Sequence, residues 1–262
     1  MSLDKIPVLR ITEEKRREIR DAVVTEHSLK IRLNGHEIIT LLCSPSKLEY
    51  LAAGFLYSEG TINCKKDISK AVLNKNKTVI EVTTSEHADF TKKNLFNRYL
   101  ASSGGRGTSY NIIAARQTAV DSMIEVLPAE IFNMVEKFIS RSKIFKATGG
   151  IHGAALCDTK DIIVFSEDIG RHNAIDKVFG ECMLRDFSTH DRIIVTSGRI
   201  SSEIVLKVAR TEIPLLISKS APTDIGVKLA DDLGITLVGF VRKRRMNVYT
   251  HAHRVVCDEM VY

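Results

Sequence analysis

The 262-residue chain has no tryptophan, only five prolines and 6% aromatic residues. That scarcity removes collagen-like, mucin-like and low-complexity readings. No apolar run approaches the ~20 residues a membrane-spanning helix needs. The opening MSLDKIPVLRITEEKRREIR alternates charge with short apolar stretches and holds no signal-peptide core. The five cysteines, Cys43, Cys64, Cys157, Cys182 and Cys257, are odd in number, far apart and without a C-x-x-C pair. This pattern argues against a disulfide framework and a local zinc site, and no metal ligands are assigned. Also missing are a Walker A loop, a G-x-G-x-x-G turn, a G-x-S-x-G elbow and the H-x-E with P-C-x-x-C set of zinc deaminases. Nucleotide hydrolysis, hydride transfer, serine-hydrolase chemistry and zinc deamination therefore lack their usual machinery. What is left is a soluble, two-domain protein of a reducing compartment, 44% apolar and 27% charged.

The net charge of +6 favours anionic partners without choosing among them. The first third reads as mixed α+β. Residues 29–42 hold two extended stretches around Asn34-Gly35, a hairpin signal. Ser44-Pro45 reads as an N-cap with proline at the first helical position, and Leu48, Leu51, Ala52 and Phe55 follow at helical spacing, so a helix is predicted over 45–57. Thr78–Thr83 alternates like a strand, and 89–100 reads as helical. Residues 101–111, ASSGGRGTSYN, form a loose, glycine-rich loop. The expected domains are 1–127, N-terminal α+β, and 128–262, C-terminal α/β.

The second half is more regular. A helix after Pro128 carries Ile131, Phe132, Val135, Phe138 and Ile139 on one face. Strands at 162–165, 192–196, 214–218 and 235–241 then alternate with helices at 172–184, 202–211 and 224–233. That alternation predicts βαβ units and a parallel sheet covered on both faces. In such sheets ligands bind beyond the carboxyl ends of the strands. Those ends carry Asp168, Gly170, Arg171, His172 and Asn173; Ser197, Gly198 and Arg199; Ser220 and Thr223; and Phe240, Val241, Arg242, Lys243, Arg244 and Arg245. Gly149, Gly150 and His152 precede a further apolar run that feeds the same rim.

Singly, each has a plain structural reading. Ser201, Ser202 and Thr223 suit helix N-caps, Gly170 and Gly198 suit tight turns, Asp168 and Arg171 suit an ion pair, and Arg242–Arg245 suits a solvated run. The shared bias of four strand ends is what predicts a ligand crevice. Glycine-loosened amides and arginines suit phosphate, and Asp168 suits ribose hydroxyls or a purine amino group. Cys157 and Cys182 read as buried and inert. Cys43 precedes a helix start that could lower its pKa, with core packing as the plainer reading. A nucleic-acid binder would need stacking aromatics along a basic stripe, and only Phe240 and Tyr249 lie near Arg242–Arg245. Neither nucleic acid nor membrane is expected as a partner.

Six stretches resemble the FdhD-type formate dehydrogenase accessory proteins: LAAGFLYSEG (51–60), TGGIHGAA (148–155), EDIGRHNAIDK (167–177), SGRISSE (197–203), SAPT (220–223) and GFVRKRRMNVYT (239–250). The resemblance implies a small N-terminal α+β domain and a C-terminal three-layer domain like that of cytidine deaminases. It implies a cytoplasmic homodimer that binds the bis-guanine-dinucleotide molybdenum cofactor, with Phe240–Arg245 matching the family's cofactor segment. It also implies sulfur taken from a cysteine desulfurase and delivered to that cofactor for formate dehydrogenase. The family carries its persulfide on cysteines of a Ser-Ser-Cys-Gly-x-Cys loop, where this chain has Ser102, Ser103, Gly104, Gly105, Arg106 and Gly107. No cysteine lies anywhere between Cys64 and Cys157. Glycine offers no nucleophile, so Gly104 and Gly107 leave no catalytic residue to assign. Three readings follow: a cofactor-binding chaperone without sulfur transfer, sulfur carried on another cysteine such as Cys43, or a lineage-specific or engineered loss of the pair.

Overall fold

The structure, a computed structural model, describes residues 3–85 and 119–257. The helix expected over 89–100 and the loop with Gly104 and Gly107 lie outside the described residues.

The chain opens with two nine-residue strands, β1 (Leu3–Ile11) and β2 (Arg16–Val24), paired antiparallel as a separate ribbon. Four more strands follow, β3 (His27–Leu33), β4 (His36–Cys43), β5 (Ile68–Leu73) and β6 (Val79–Thr84), in the order β4-β3-β6-β5. Asn34 and Gly35, at φ 49° and 80°, make the expected β3–β4 turn. Helix α1 (Leu48–Ser58) covers this sheet with Leu48, Leu51, Ala52, Phe55 and Leu56.

The helix begins three residues later than the sequence predicts. Ser44 does not cap it. Its N–H donates to Asp168 Oδ2 at 3.0 Å and its hydroxyl accepts from the Ile169 N–H at 3.2 Å. A distant contact thus competes successfully with the local cap, and Lys47, in a left-handed conformation, takes the N-cap position.

In the C-terminal half, α2 (Pro128–Arg141) and α3 (Lys143–Thr148) lead into β7 (His152–Cys157) and β8 (Ile162–Asp168). Then come α4 (Arg171–Leu184), β9 (Ile193–Thr196), α5 (Ser202–Arg210), β10 (Leu215–Ser218), α6 (Asp224–Asp232), β11 (Thr236–Arg242) and β12 (Arg245–Val248). The sheet order is β12-β11-β10-β9-β7-β8. It is mixed rather than parallel. β7 runs antiparallel to both β8 and β9, and β12 antiparallel to β11. The reason is loop length. A turn pinned by the Asp158 carboxylate joins β7 to β8, and a two-residue turn joins β11 to β12, both too short for a crossover. Two reversals leave β8 pointing the same way as β9, β10 and β11, so their carboxyl ends still share one edge. The amino end of β7 joins them there, with His152 opposite Asp168.

Apolar side chains on one sheet face pack against α2 through Ile131, Met134, Val135 and Phe138. The other face packs beneath α4, α5 and α6, giving three layers. The segment ahead of Pro128, counted with the N-terminal half in the sequence, lies against these C-terminal layers. Val120 N–H donates to Leu233 O, and Val126 bridges Val255. Among the described residues no helix is long and apolar enough to cross a membrane.

The two halves meet where α1 crosses α4. A Cβ on Gly54 would stand 1.7 Å from Asp176 O, and one on Gly180 would stand 1.9 Å from Tyr50 O. Beside this crossing, Lys207 from α5 donates to Ser58 Oγ at 2.7 Å, Glu59 Oε1 at 2.9 Å and Asp176 Oδ1 at 3.0 Å. Burial works against the Lys207 ammonium, but Asp176 and Glu59 outweigh it and hold its pKa above the ordinary lysine value.

Candidate functional site: the sheet rim

The strand ends deliver most of the expected residues to one edge, but not all of them face outward. Asp168 ends β8 with its carboxylate fully buried. Its oxygens accept from Ser44 N–H, Gly170 N–H at 2.9 Å and Asn173 Nδ2 at 2.9 Å, and it is ion-paired with the equally buried Lys177. Asn173 also donates to Leu42 O at 2.8 Å, and Lys177 to Ser44 O at 3.2 Å. Asp168 and Asn173 therefore hold the β8–α4 turn against the N-terminal half. Asp168 is not a free acceptor for a ribose or purine, because a dry carboxylate keeps every partner it has. Thr223 is likewise occupied, accepting from Gly226 N–H at 3.2 Å as the N-cap of α6. Gly149, at φ 66°, closes the C-terminus of α3, and Gly150 lies against Val24 of β2.

The outward-facing remainder forms two adjoining patches. On the side of α4 and α5, His152 Nδ1 lies 3.3 Å from Ser197 Oγ, which also accepts from Gly153 N–H at 3.0 Å. His172 Nε2 stands 3.0 Å from Glu203 Oε2. The Arg171 side chain lies across Gly198, where an added Cβ would come within 2.8 Å of Arg171 Cβ. Burial, then the nearby Arg171 and His172, pull the pKa of His152 below its ordinary value, so it is neutral at physiological pH. Arg171 Nε and Ser201 Oγ are buried with no hydrogen-bond partner among the described residues. Buried donors are rarely left without acceptors, so these two atoms point to a missing one.

On the side of α2, a groove of about 460 Å³ runs between that helix and the β11–β12 turn. Phe132, Val135, Ile139 and Val241 give it apolar lining, and Lys219, Arg242 and Lys243 line it together with the carboxylate of Glu136. The basic run is the hairpin turn itself. Lys243 sits at φ 54°, and Arg242 is the cross-strand partner of Arg245. Like charges placed opposite each other repel. None of Lys219, Arg242, Lys243, Arg244 and Arg245 forms an ion pair with the described residues. Arg242 instead reaches over the Phe240 ring, 5.9 Å from its centroid. A slot with apolar lining and cations that pair with no carboxylate among the described residues suits an anion carrying a flat apolar group. Arg199 is exposed at the same edge.

Sequence reasoning missed Lys219 and the groove wall from α2. Lys219 adjoins Ser220 in the chain yet was not among the residues assigned to that strand end. Phe132, Val135 and Ile139 read only as part of one apolar helix face, although they also line this groove.

The thiols are sharply sorted. Cys43, Cys157 and Cys182 are buried, and burial pushes each thiol up to about 12. Asp168 adds to the effect at Cys43, so core packing prevails there over any helix-dipole activation, and Cys43 is unsuited to carry sulfur. Cys64 and Cys257 are exposed. Among the described residues no three His, Cys, Asp or Glu side chains gather as a metal-binding group.

Fold and rim together define a three-layer α/β protein with an α+β companion unit and a cationic, partly unsatisfied sheet edge. The FdhD/NarQ family model matches residues 24–256, and the chain belongs to that family. It is 39% identical over 241 residues to the sulfur carrier protein FdhD of Bacillus subtilis, covering 91% of this chain and 92% of that one. It is 38% identical over 256 residues to the protein of the same name from Staphylococcus aureus, covering 97% and 96%. A proposed formate dehydrogenase accessory protein from Desulfotalea psychrophila, known from its crystal structure, superposes with a TM-score of 0.80 at 28% identity. That superposition covers 97% of this chain and 99% of that one.

Proposed function

We propose that this chain is a cytoplasmic accessory protein of formate dehydrogenase maturation. Its cargo is the bis-guanine-dinucleotide molybdenum cofactor, held at the sheet rim and passed on without a persulfide relay through the 101–111 loop. The observation that carries this reading is the set of cations, Lys219 and Arg242–Arg245, that form no ion pair among the described residues and stand beside the apolar groove. The cargo brings diphosphates and flat guanine rings. Arg171 Nε and Ser201 Oγ are buried donors with no acceptor among the described residues, which fits phosphate oxygens. The ribbon of β1 and β2 supports a homodimer. It exposes Leu3, Ile6, Leu9 and Ile11, and an isolated two-stranded sheet is marginal in water.

The test is calorimetric titration with GDP. Saturable binding is expected, and Arg242→Ala or Arg171→Ala weakens it about 10- to 150-fold, the worth of a charge-assisted hydrogen bond of ~1.5–3 kcal/mol. A folded protein that gives no saturable signal overturns the reading.

Sulfur transfer is the second reading, favoured by relatives named as sulfur carriers and by two exposed thiols, Cys64 and Cys257. Mass spectrometry after incubation with a cysteine desulfurase and cysteine separates the two. The chaperone reading expects no stable gain of a sulfur atom. A stable persulfide on Cys64 or Cys257 would establish transfer by a route other than the family loop.

A further inference from the structure

We infer that Glu136, on α2, is the residue that makes the groove select guanine over other bases. This rests on the reading above that the groove holds the cargo's nucleotide. Positions 132, 135, 136 and 139 form one stripe of the helix, with spacings of three and four residues. Three of them, Phe132, Val135 and Ile139, are apolar lining; the fourth is a carboxylate lining the same groove. Glu136 forms no hydrogen bond or ion pair with the described residues, although Lys219, Arg242 and Lys243 line the groove with it. An acid within a cationic anion site weakens phosphate binding, and the exposed Glu136 carboxylate is open to a donor on a ligand seated in the groove.

An ionised carboxylate only accepts hydrogen bonds, through two oxygens side by side. Among the common bases, guanine alone presents two adjacent donors on its pairing edge, the ring N1–H and the exocyclic N2 amino group. Adenine places a lone pair at N1, which the carboxylate repels, and hypoxanthine lacks the N2 donor. A flat ring on Phe132, Val135 and Ile139 brings its edge to the helix stripe, with its phosphates toward the cations.

The test is titration of the full chain and its Glu136→Gln variant with GDP, IDP, ADP and inorganic pyrophosphate. Glu136 is exposed on a helix surface, so the variant is expected to keep the parent circular dichroism and unfolding midpoint. The parent binds GDP about 5- to 150-fold more tightly than ADP, as a two-pronged base contact of ~1–3 kcal/mol implies, with IDP between. In Glu136→Gln the GDP affinity falls by a similar factor, while ADP and pyrophosphate bind as well or better because a negative charge has left the groove. The opposite movement of GDP and pyrophosphate is the signature. If the parent binds GDP and ADP equally, or Glu136→Gln keeps the preference for GDP, the inference is wrong and the nucleotide-holding function stands. If the parent binds no nucleotide, the function fails and this inference with it.

Discussion

Gly180→Ala is expected to destabilise the protein by about 3 kcal/mol or more, a large share of the ~5–15 kcal/mol that holds a typical domain folded. The added methyl would stand 1.9 Å from Tyr50 O and 2.7 Å from Gly54 N, both backbone atoms of α1. Neither can rotate aside, so the helices must separate along the crossing. Separation would also stretch the buried contacts of Lys207 with Ser58, Glu59 and Asp176. Helix propensity works the other way, since alanine exceeds glycine by only ~1 kcal/mol in a helix interior. Overpacking of this kind usually costs ~1–3 kcal/mol, and more where backbone blocks the relaxation. Gly54→Ala meets Asp176 O at 1.7 Å and is expected to behave alike. Urea unfolding followed by circular dichroism measures both. A loss below about 1 kcal/mol would mean that the helices do not touch as described.

Lys177→Met is expected to cost about 3–5 kcal/mol and to weaken nucleotide binding as well. Removing the ammonium leaves the Asp168 carboxylate charged and fully buried, the situation in which a broken ion pair is most costly. Asp168 still accepts from the Ser44, Gly170 and Asn173 donors, but these carry no full charge. The strain falls on the turn between β8 and α4, which carries Arg171 and His172 to the rim. The double variant Asp168→Asn with Lys177→Met removes the orphaned charge and is expected to recover part of the stability. Equal stability of the parent and Lys177→Met would show that the pair is not dry.

The same pair explains where sequence reading succeeded and where it stopped. Alternating apolar runs located β8–β11 and the helices between them, because short buried strands and amphipathic helices are local patterns. The carboxyl-end rule then placed Arg171, Ser197, Ser220 and Arg242 on one edge, and it survived the sheet being mixed because the two reversals at β7 cancel. Orientation was not legible. Asp168 and Asn173 lie beside Arg171 in the chain, yet contacts with Leu42 and Ser44, more than 120 residues away, turn them inward. Ser44 had a good local reason to cap α1 and was drawn off by the same long-range contact. The β1–β2 ribbon escaped notice because its strands mix charged and apolar residues on both faces. The α2 wall of the groove escaped because a helix stripe that is half core and half rim has the same periodicity as one that is all core.

The central claim is that the cationic turn and the α2 groove form one nucleotide-holding site. A crystal of the full chain soaked with GDP tests it most directly. The account predicts the base between α2 and the β11–β12 turn, on Phe132, Val135 and Ile139, with the diphosphate among Lys219, Arg242 and Lys243. Nucleotide found instead on the N-terminal sheet or along the β1–β2 ribbon, with the groove unfilled, would contradict it.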